Sequence, residues 1–400
     1  MAEPHKRLGI LYVGTLPPHP GGSAISGSQL ILEFARLGHK VRALAPITAE
    51  ALRSGDRFAV SHPEIGVTRF RVPYFETSPD SPLPAEYQTL ENEQIRESLP
   101  DLIGNERPDV IMIGRESFAW HVPDIARACS VPCILRTAGS TTAGLLKHTY
   151  PEALALQLLE QFRKVDRIIT PARHLTDSLR QLACNNITTI PNAVDLHQFS
   201  PSPKDAGLLR QLAIQDDDII VVHASNLKPL KRPLDLVYSA EKALLRNPNL
   251  LYVIVGDGSC RHPMEELCAR RHLSERFRFV GWIEYARVPR YINLADLVIM
   301  PSDSEGLARV YLEAQACGRL LLASDIPAAR EVIVDGETGL LFRTGDIDDL
   351  TAKTLVSAGD PELRAGIGRK ARQRVRANAL DRAVGAYVEA LDEVVRQHRR

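Results

Sequence analysis

Leu297-Val-Ile-Met-Pro-Ser-Asp-Ser-Glu305-Gly-Leu-Ala-Arg-Val-Tyr-Leu-Glu313-Ala-Gln-Ala-Cys-Gly318 reads as a strand, a loop and a helix in succession. The run Leu297–Met300 is short and apolar, as a strand buried on both faces must be. Pro301 to Ser304 interrupt it as a loop. A helix is expected from near Leu307 to a C-terminal cap at Gly318. A further apolar run, Leu320–Ala323, follows at once. Strand, crossover helix and strand make a parallel pair with a right-handed connection.

The same alternation extends in both directions. A first series of expected strands comprises Gly9–Val13, Lys40–Ala45, Val67–Val72, Val110–Ile113, Cys133–Arg136 and Arg167–Thr170. A second comprises Ile219–Ala224, Leu250–Val255, Phe277–Val280, Leu297–Met300 and Leu320–Ala323. Amphipathic segments such as Gln29–Leu37 and Pro233–Leu245 separate them. The fold class is therefore α/β, with two Rossmann-like, doubly wound domains. Pro191-Asn-Ala-Val-Asp195 and Phe199-Ser-Pro-Ser-Pro203 suit the connection between domains, placing them at residues 1–200 and 201–380. Residues 381–400 form a terminal segment, where Arg382–Gln397 has the apolar spacing of an amphipathic helix. Thr77–Pro84 carries three prolines and reads as a loop.

Composition narrows the function classes. The chain has 400 residues, 44% hydrophobic and 24% charged, ordinary values for a globular protein. Lys plus Arg and Asp plus Glu are 49 each, so no global basic field points to nucleic acid. No apolar run approaches the ~18 residues of a spanning helix. The polar start leading straight into Leu8–Val13 does not resemble a secretory leader. Six scattered cysteines, with no CxxC pair, suit a reduced cytoplasmic chain and not a disulfide framework. Cys260, His262, Cys268 and His272 read as a helix face before they read as zinc ligands, and no metal is expected.

Ligands of open parallel sheets bind beyond the carboxyl ends of the strands. The loops that follow strands therefore carry the chemistry. After Val13 comes Gly14 to Ser28, with Gly21 and Gly22 able to let a ligand approach the backbone; a plain loop with a serine N-cap is the alternative. After Val255, Gly256-Asp-Gly258 is either a tight turn or part of a nucleotide loop. After Ala224, Asn226-Leu-Lys-Pro-Leu-Lys231-Arg232 crowds three cations, either solvated or set to hold phosphate. After Met300, Glu305 sits at the mouth of a helix and Glu313 lies under two turns inside it. A carboxylate accepts paired hydrogen bonds from vicinal hydroxyls, while helix amides hold phosphate. The alternative is that Glu305 merely offsets the helix dipole and Glu313 is solvated.

Taken together, Pro191-Asn-Ala-Val-Asp195, Val255-Gly-Asp-Gly258, Phe279-Val-Gly281, Ala295-Asp296 through Pro301-Ser302, the Glu305-x7-Glu313 pair, Glu331-Val-Ile and Gly336-x-x-Gly339-Leu-Leu-Phe342 resemble the retaining glycosyltransferases of family four, with the GT-B fold. The resemblance implies an acceptor-side N-terminal domain and a C-terminal domain that binds a nucleotide diphosphate sugar, facing each other across a cleft. The terminal helix would cross back onto the N-terminal domain. It implies that Glu313 binds the ribose and Glu305 the donor sugar. Gly306, Leu307, Ala308, Arg309 and Val310 would surround sugar and diphosphate, and Lys231 would neutralise the phosphates. Gly21 and Gly22 would lie near diphosphate and acceptor, Gly256 near the donor, and Ile283 where the nucleobase packs.

Some positions depart from the family pattern. Asn226 stands where the family usually has an arginine, and the string around it is similar to a subgroup that includes the bacillithiol-pathway glucosaminyl–malate synthases. One phosphate cation is then missing or is supplied by Arg309. The family's histidines after the fourth and fifth strands are absent; Gly114-Arg115-Glu116 and Ala138 occupy those regions, with His121 shifted.

The reaction the resemblance implies moves a hexosyl group to an acceptor hydroxyl with retained configuration and without a metal. Lys231 and Glu305 are its expected catalytic residues. The donor's phosphate oxygen would take the acceptor proton, so no flanking carboxylate pair is needed. A UDP-sugar is expected ahead of GDP-mannose, as substrate and not as cofactor. The acceptor and the oligomeric state are not legible, and composition leaves peripheral membrane contact open. The competing classes are a nucleotide-sugar epimerase on the same architecture and a sugar-nucleotide-binding protein without turnover.

Overall fold

Every apolar run named above becomes a strand in the computed structural model, which describes residues 6–19, 21–53, 62–73 and 84–400. The proline-rich stretch before Pro84 lies outside those residues. The strands are β1 Gly9–Val13, β2 Lys40–Thr48, β3 Ile65–Val72, β4 Val110–Ile113, β5 Cys133–Arg136, β6 Arg167–Thr170 and β7 Ile187–Thr189, then β8 Ile219–Ala224, β9 Leu250–Val255, β10 Phe277–Gly281, β11 Leu297–Met300, β12 Leu320–Ser324 and β13 Leu340–Phe342. The first seven form one sheet in the order β3-β2-β1-β4-β5-β6-β7; the rest form a second, β10-β9-β8-β11-β12-β13. The named strands all pair in parallel. In β4, β5, β9, β11 and β12 every residue is buried, because crossover helices cover both faces. The chain therefore forms two Rossmann-like domains, each doubly wound.

In each sheet the winding reverses next to the first strand, between β1 and β4 and between β8 and β11. Loops leaving neighbouring strands diverge at such a point and leave a crevice at the carboxyl ends. In the first sheet this selects the segments after Val13 and Ile113. In the second it selects those after Ala224 and Met300, which contain Lys231 and Glu305.

The two compact units are Met1–Asn192 with Asp381–Arg400, and Ala193–Leu380. The division falls at Asn192, ahead of the expected residue 200. The reason is backbone pairing within the second unit: Val194 N–H donates to Asn378 O at 3.0 Å, and Leu380 N–H donates to Val194 O at 3.1 Å. Arg372 adds a hydrogen bond to Phe199 O at 3.1 Å. The terminal helix, Leu380–His398, packs within the first unit. Arg136, buried at the end of β5, donates to the Tyr387 hydroxyl of that helix at 3.1 Å and to Ser26 Oγ at 2.7 Å.

The first helix starts at Gly22, well before the expected Gln29. Its glycine and serine residues are poor helix formers, and packing overrides that preference. The packing centres on Tyr12, fully buried in β1. A Cβ built on Gly27 would lie 2.2 Å from the Tyr12 hydroxyl, and one on Gly114 only 2.1 Å from it. These glycines are space for a tyrosine.

Gly27→Ala is expected to cost about 1–3 kcal/mol by overpacking, although alanine favours helix. Tyr12→Phe removes the nearest clashing atom, so in a double-mutant cycle by urea denaturation the second change should recover much of the loss. Additive effects would show that the hydroxyl is not the obstacle.

Candidate functional site

Three strand ends in the second unit are joined by backbone hydrogen bonds. Ser225 N–H donates to Val255 O at 3.0 Å, Leu227 N–H to Asp257 O at 2.9 Å, and Cys260 N–H to Leu227 O at 2.8 Å. Gly256 N–H donates to Gly281 O at 2.8 Å. So close an approach needs glycine: a Cβ on Gly256, at φ +118°, would lie 1.9 Å from Ser225 O. Gly256, expected near the donor, thus braces the loop that follows β8. Asn226 contributes its carbonyl to that loop, accepting from Lys228 N–H at 2.6 Å.

Beneath the loop lies His223. Its Nδ1 is 2.9 Å from Ile299 O and its Nε2 is 2.7 Å from Ser225 Oγ. Burial pushes its pKa down to about 4. A neutral ring donates from Nδ1 to the carbonyl and accepts the serine proton at Nε2, tying β8 to β11 and to the loop.

The loop ends in a single turn, Pro229–Lys231. Pro233 stands just outside the following helix, Leu234–Leu244, as its N-cap and not as its first residue. Asp303 N–H donates to Leu230 O at 2.9 Å and fastens this turn to the segment after β11. Lys231 Nζ then meets both oxygens of Glu305, at 2.6 and 2.7 Å. Ser302 Oγ donates to Glu305 Oε1 at 2.8 Å. The two side chains are 18% and 8% exposed, so the pair is mostly removed from water. The Tyr311 hydroxyl is fully buried; burial pushes its pKa well up, and the Glu305 charge adds to the shift.

The helix after Glu305 and Gly306 runs Arg309–Ala316, beginning two residues later than expected, with Ala308 at its N-cap and no side-chain cap. Leu307, Ala308 and Val310 are buried around this start. Glu313, one turn in, is 5% exposed. Its Oε1 accepts from the Tyr285 hydroxyl at 2.9 Å and lies 3.4 Å from Arg309 Nε. Arg309 also donates to the Tyr285 hydroxyl. Burial raises the Glu313 pKa, and Arg309 and Tyr285 pull it back.

Of the expected donor residues, the structure thus brings Lys231 to Glu305 and Arg309 to Glu313. Arg309, considered as a substitute phosphate cation, is engaged with Tyr285 and Glu313. Ile283 is half-buried in the segment after β10. Gly21 and Gly22 belong to the first unit, where Gly21 is the N-cap of the helix Gly22–Arg36 at φ +109°. Tyr285 was not picked out from the sequence. It lies 28 residues before Glu313, and only the fold brings them together.

In the first unit Glu116 occupies the region of an expected histidine. It is buried and accepts from Gly139 N–H at 3.1 Å, Thr141 N–H at 3.4 Å and Thr142 Oγ1 at 2.6 Å. His121 is the N-cap of the helix Val122–Ala128. Of the cysteines raised as metal ligands, Cys260 and Cys268 lie in the core of the second unit, while His262 is exposed beside Glu266. Among the described residues no helix is long and apolar enough to cross a membrane.

The sequence and fold of the chain are similar to those of known glycosyltransferases. Residues 20–198 match the family model "Glycosyltransferase Family 4", and residues 207–374 match "Glycosyl transferases group 1". D-inositol 3-phosphate glycosyltransferase of Geodermatophilus obscurus is 28% identical over 293 residues, 69% of this chain and 63% of that protein. N-acetyl-alpha-D-glucosaminyl L-malate synthase of Bacillus anthracis is 27% identical over 211 residues, 52% of this chain and 54% of that protein. The chain thus spans less than two thirds of the length of these curated relatives. The crystal structure of Anabaena HepE in complex with UDP-glucose shares the fold, with a TM-score of 0.78 and 17% identity over 96% of this chain and 100% of that one.

His223 makes stability depend on pH. Its folded pKa lies below the ordinary value of 6.5, so the unfolded chain binds the proton first as pH falls. The contribution is complete above about pH 6.5 and is lost as pH falls towards 4. Between pH 7 and 4.5 the wild type should lose about 2–3 kcal/mol more than His223→Gln in urea denaturation. Parallel curves for the two proteins would contradict this.

Proposed function

The chain belongs to the family-four glycosyltransferases with the GT-B fold, and on that premise we propose that it transfers a hexosyl group from a nucleotide diphosphate sugar to an acceptor hydroxyl, with retention at the anomeric carbon. The observation that carries this reading is Lys231 held against Glu305 at the reversal point of the second sheet, beside a helix start without a side-chain cap. The diphosphate is the ligand that this positive charge suits. Glu313, one turn further in, suits the ribose hydroxyls.

In the proposed reaction the bond from the anomeric carbon to the diphosphate oxygen breaks as the acceptor oxygen bonds to the same face. The acceptor proton passes to the leaving diphosphate. Charge grows on that diphosphate in the transition state. Lys231 and the helix dipole stabilise it, supplying the positive charge that a metal ion would otherwise bring. Glu305 contacts the hydroxyls of the donor sugar. A UDP-sugar is the donor favoured over GDP-mannose, from the likeness of the Asn226 loop to the glucosaminyl–malate synthases and from UDP-glucose bound by the structurally similar HepE.

Glu305 is the counter-ion of Lys231 in the structure. An incoming diphosphate must replace it in that role. Binding therefore exchanges one anion for another at the same ammonium group, and Glu305 is released towards the sugar.

The reading is tested by following nucleoside diphosphate release from a panel of nucleotide sugars, with and without candidate acceptors. Release that requires an acceptor, with a glycosylated product, is expected. Conversion of the donor without release indicates an epimerase, and binding without conversion indicates a binding protein. Lys231→Met should lower turnover roughly 10²–10³-fold. Glu305→Gln should also lower turnover, yet tighten binding of the bare nucleoside diphosphate several-fold, roughly the effect of removing one competing charge. Weaker diphosphate binding by Glu305→Gln would contradict the exchange.

A further inference from the structure

Arg309 is the first residue of its helix, at the positive end of the helix dipole. A cation there is locally disfavoured. Its side chain is also only 10% exposed, so desolvation adds to the penalty. Arginine is retained in such a place only if its contacts offset both effects. The Cζ atom lies 5.1 Å from the centroid of the Tyr285 ring, a cation–π arrangement. Nη2 donates to the Tyr285 hydroxyl, and Nε stands 3.4 Å from Glu313 Oε1.

The direction of these contacts is informative. Arg309 donates to the tyrosine oxygen, and the tyrosine donates to Glu313 Oε1. The chain of donors ends on one carboxylate oxygen, while no donor among the described residues reaches Oε2. The Tyr285 ring is itself held at 5.5 Å from the Phe199 ring, centroid to centroid. A purely structural ion pair needs neither the relay through Tyr285 nor the open second oxygen. Burial alone would favour a protonated Glu313, which would then offer a donor where an acceptor is required.

From this geometry we infer that Arg309 and Tyr285 are positioning residues that hold Glu313 by Oε1, so that Oε2 receives the ribose hydroxyls of the nucleotide and selects ribose over deoxyribose. The inference rests on the reading of Glu313 as the ribose acceptor. It also gives Arg309 a task separate from phosphate neutralisation, which then falls to Lys231 and the helix amides.

Isothermal titration calorimetry with UDP, GDP and their 2′-deoxy forms tests it. Wild-type protein should bind the ribonucleotide of its preferred base about tenfold more tightly than the 2′-deoxy form, the effect of one hydrogen bond to a charged acceptor. In Tyr285→Phe and Arg309→Met that ratio should fall to about threefold or less, through the ribonucleotide alone, because the variants disturb the acceptor and not the phosphate contacts. Glu313→Gln should behave likewise. An unchanged ratio, or equal weakening of both sugars in both variants, overturns the assignment and leaves the donor reading standing. Wild-type protein that binds none of these nucleotides overturns both. Tyr285→Phe keeps the ring and its packing, so its result does not depend on tolerance of the larger Arg309 change.

Discussion

A lysine and a glutamate largely withdrawn from water form the ion pair on which the proposed chemistry of the second unit depends. Burying two charges is costly, and their mutual attraction repays that only when the geometry is good and other hydrogen bonds complete it. Lys231 meets both oxygens of Glu305, and Ser302 adds a hydroxyl. Neither partner reaches this position by itself. Lys231 is carried by a loop braced through Ser225, Gly256 and Gly281 and seated on the neutral His223. Glu305 is carried by the segment after β11, fastened to the same loop through Asp303 and Leu230. In the proposed reaction the pair is preorganised yet exchangeable. A diphosphate carries more charge than a carboxylate and can take its place on the ammonium.

The Arg309–Tyr285–Glu313 group obeys a different logic. Local preference argues against arginine at a helix start, and burial argues against a charged Glu313. The two unfavourable choices offset each other through the intervening phenol. Such a compensated break of a local rule accords with the proposed role of Glu313 at the ribose. In the first unit the comparable constraint is steric. The Tyr12 ring occupies space that Gly14, Gly27 and Gly114 leave open, so glycines after β1 and β4 serve packing as well as any ligand.

How far the fold is legible in the sequence follows from burial. Strands covered on both faces must be apolar throughout, which is why β4, β9 and β11 stand out between polar loops. The edge strands β7 and β13 have three residues each, too few to show a period, and were not anticipated. The first helix was read late because glycine and serine obscure its opening turns. The domain boundary was misplaced by the prolines after Phe199, while backbone pairing at Val194 sets it earlier. Lys231, Glu305 and Glu313 stand out because they follow strands, but their chain positions alone fit solvated residues equally well. Their expected roles come from the family resemblance, and only the fold shows that Lys231 meets Glu305 and that Glu313 is buried beside Tyr285 and Arg309. The bracing task of Gly256 was not legible, since a glycine that admits a ligand and one that admits another backbone look alike in a chain. Tyr285 was invisible for a related reason: its partners come from a distant helix and only the fold supplies them.

The ammonium group shared with Glu305 is proposed as the seat of the donor's diphosphate. A crystal structure with a bound nucleoside diphosphate tests it most directly. A phosphate oxygen should lie within hydrogen-bond distance of Lys231 Nζ, with Glu305 displaced from that nitrogen. A diphosphate bound elsewhere, with the Lys231–Glu305 pair intact, would contradict it.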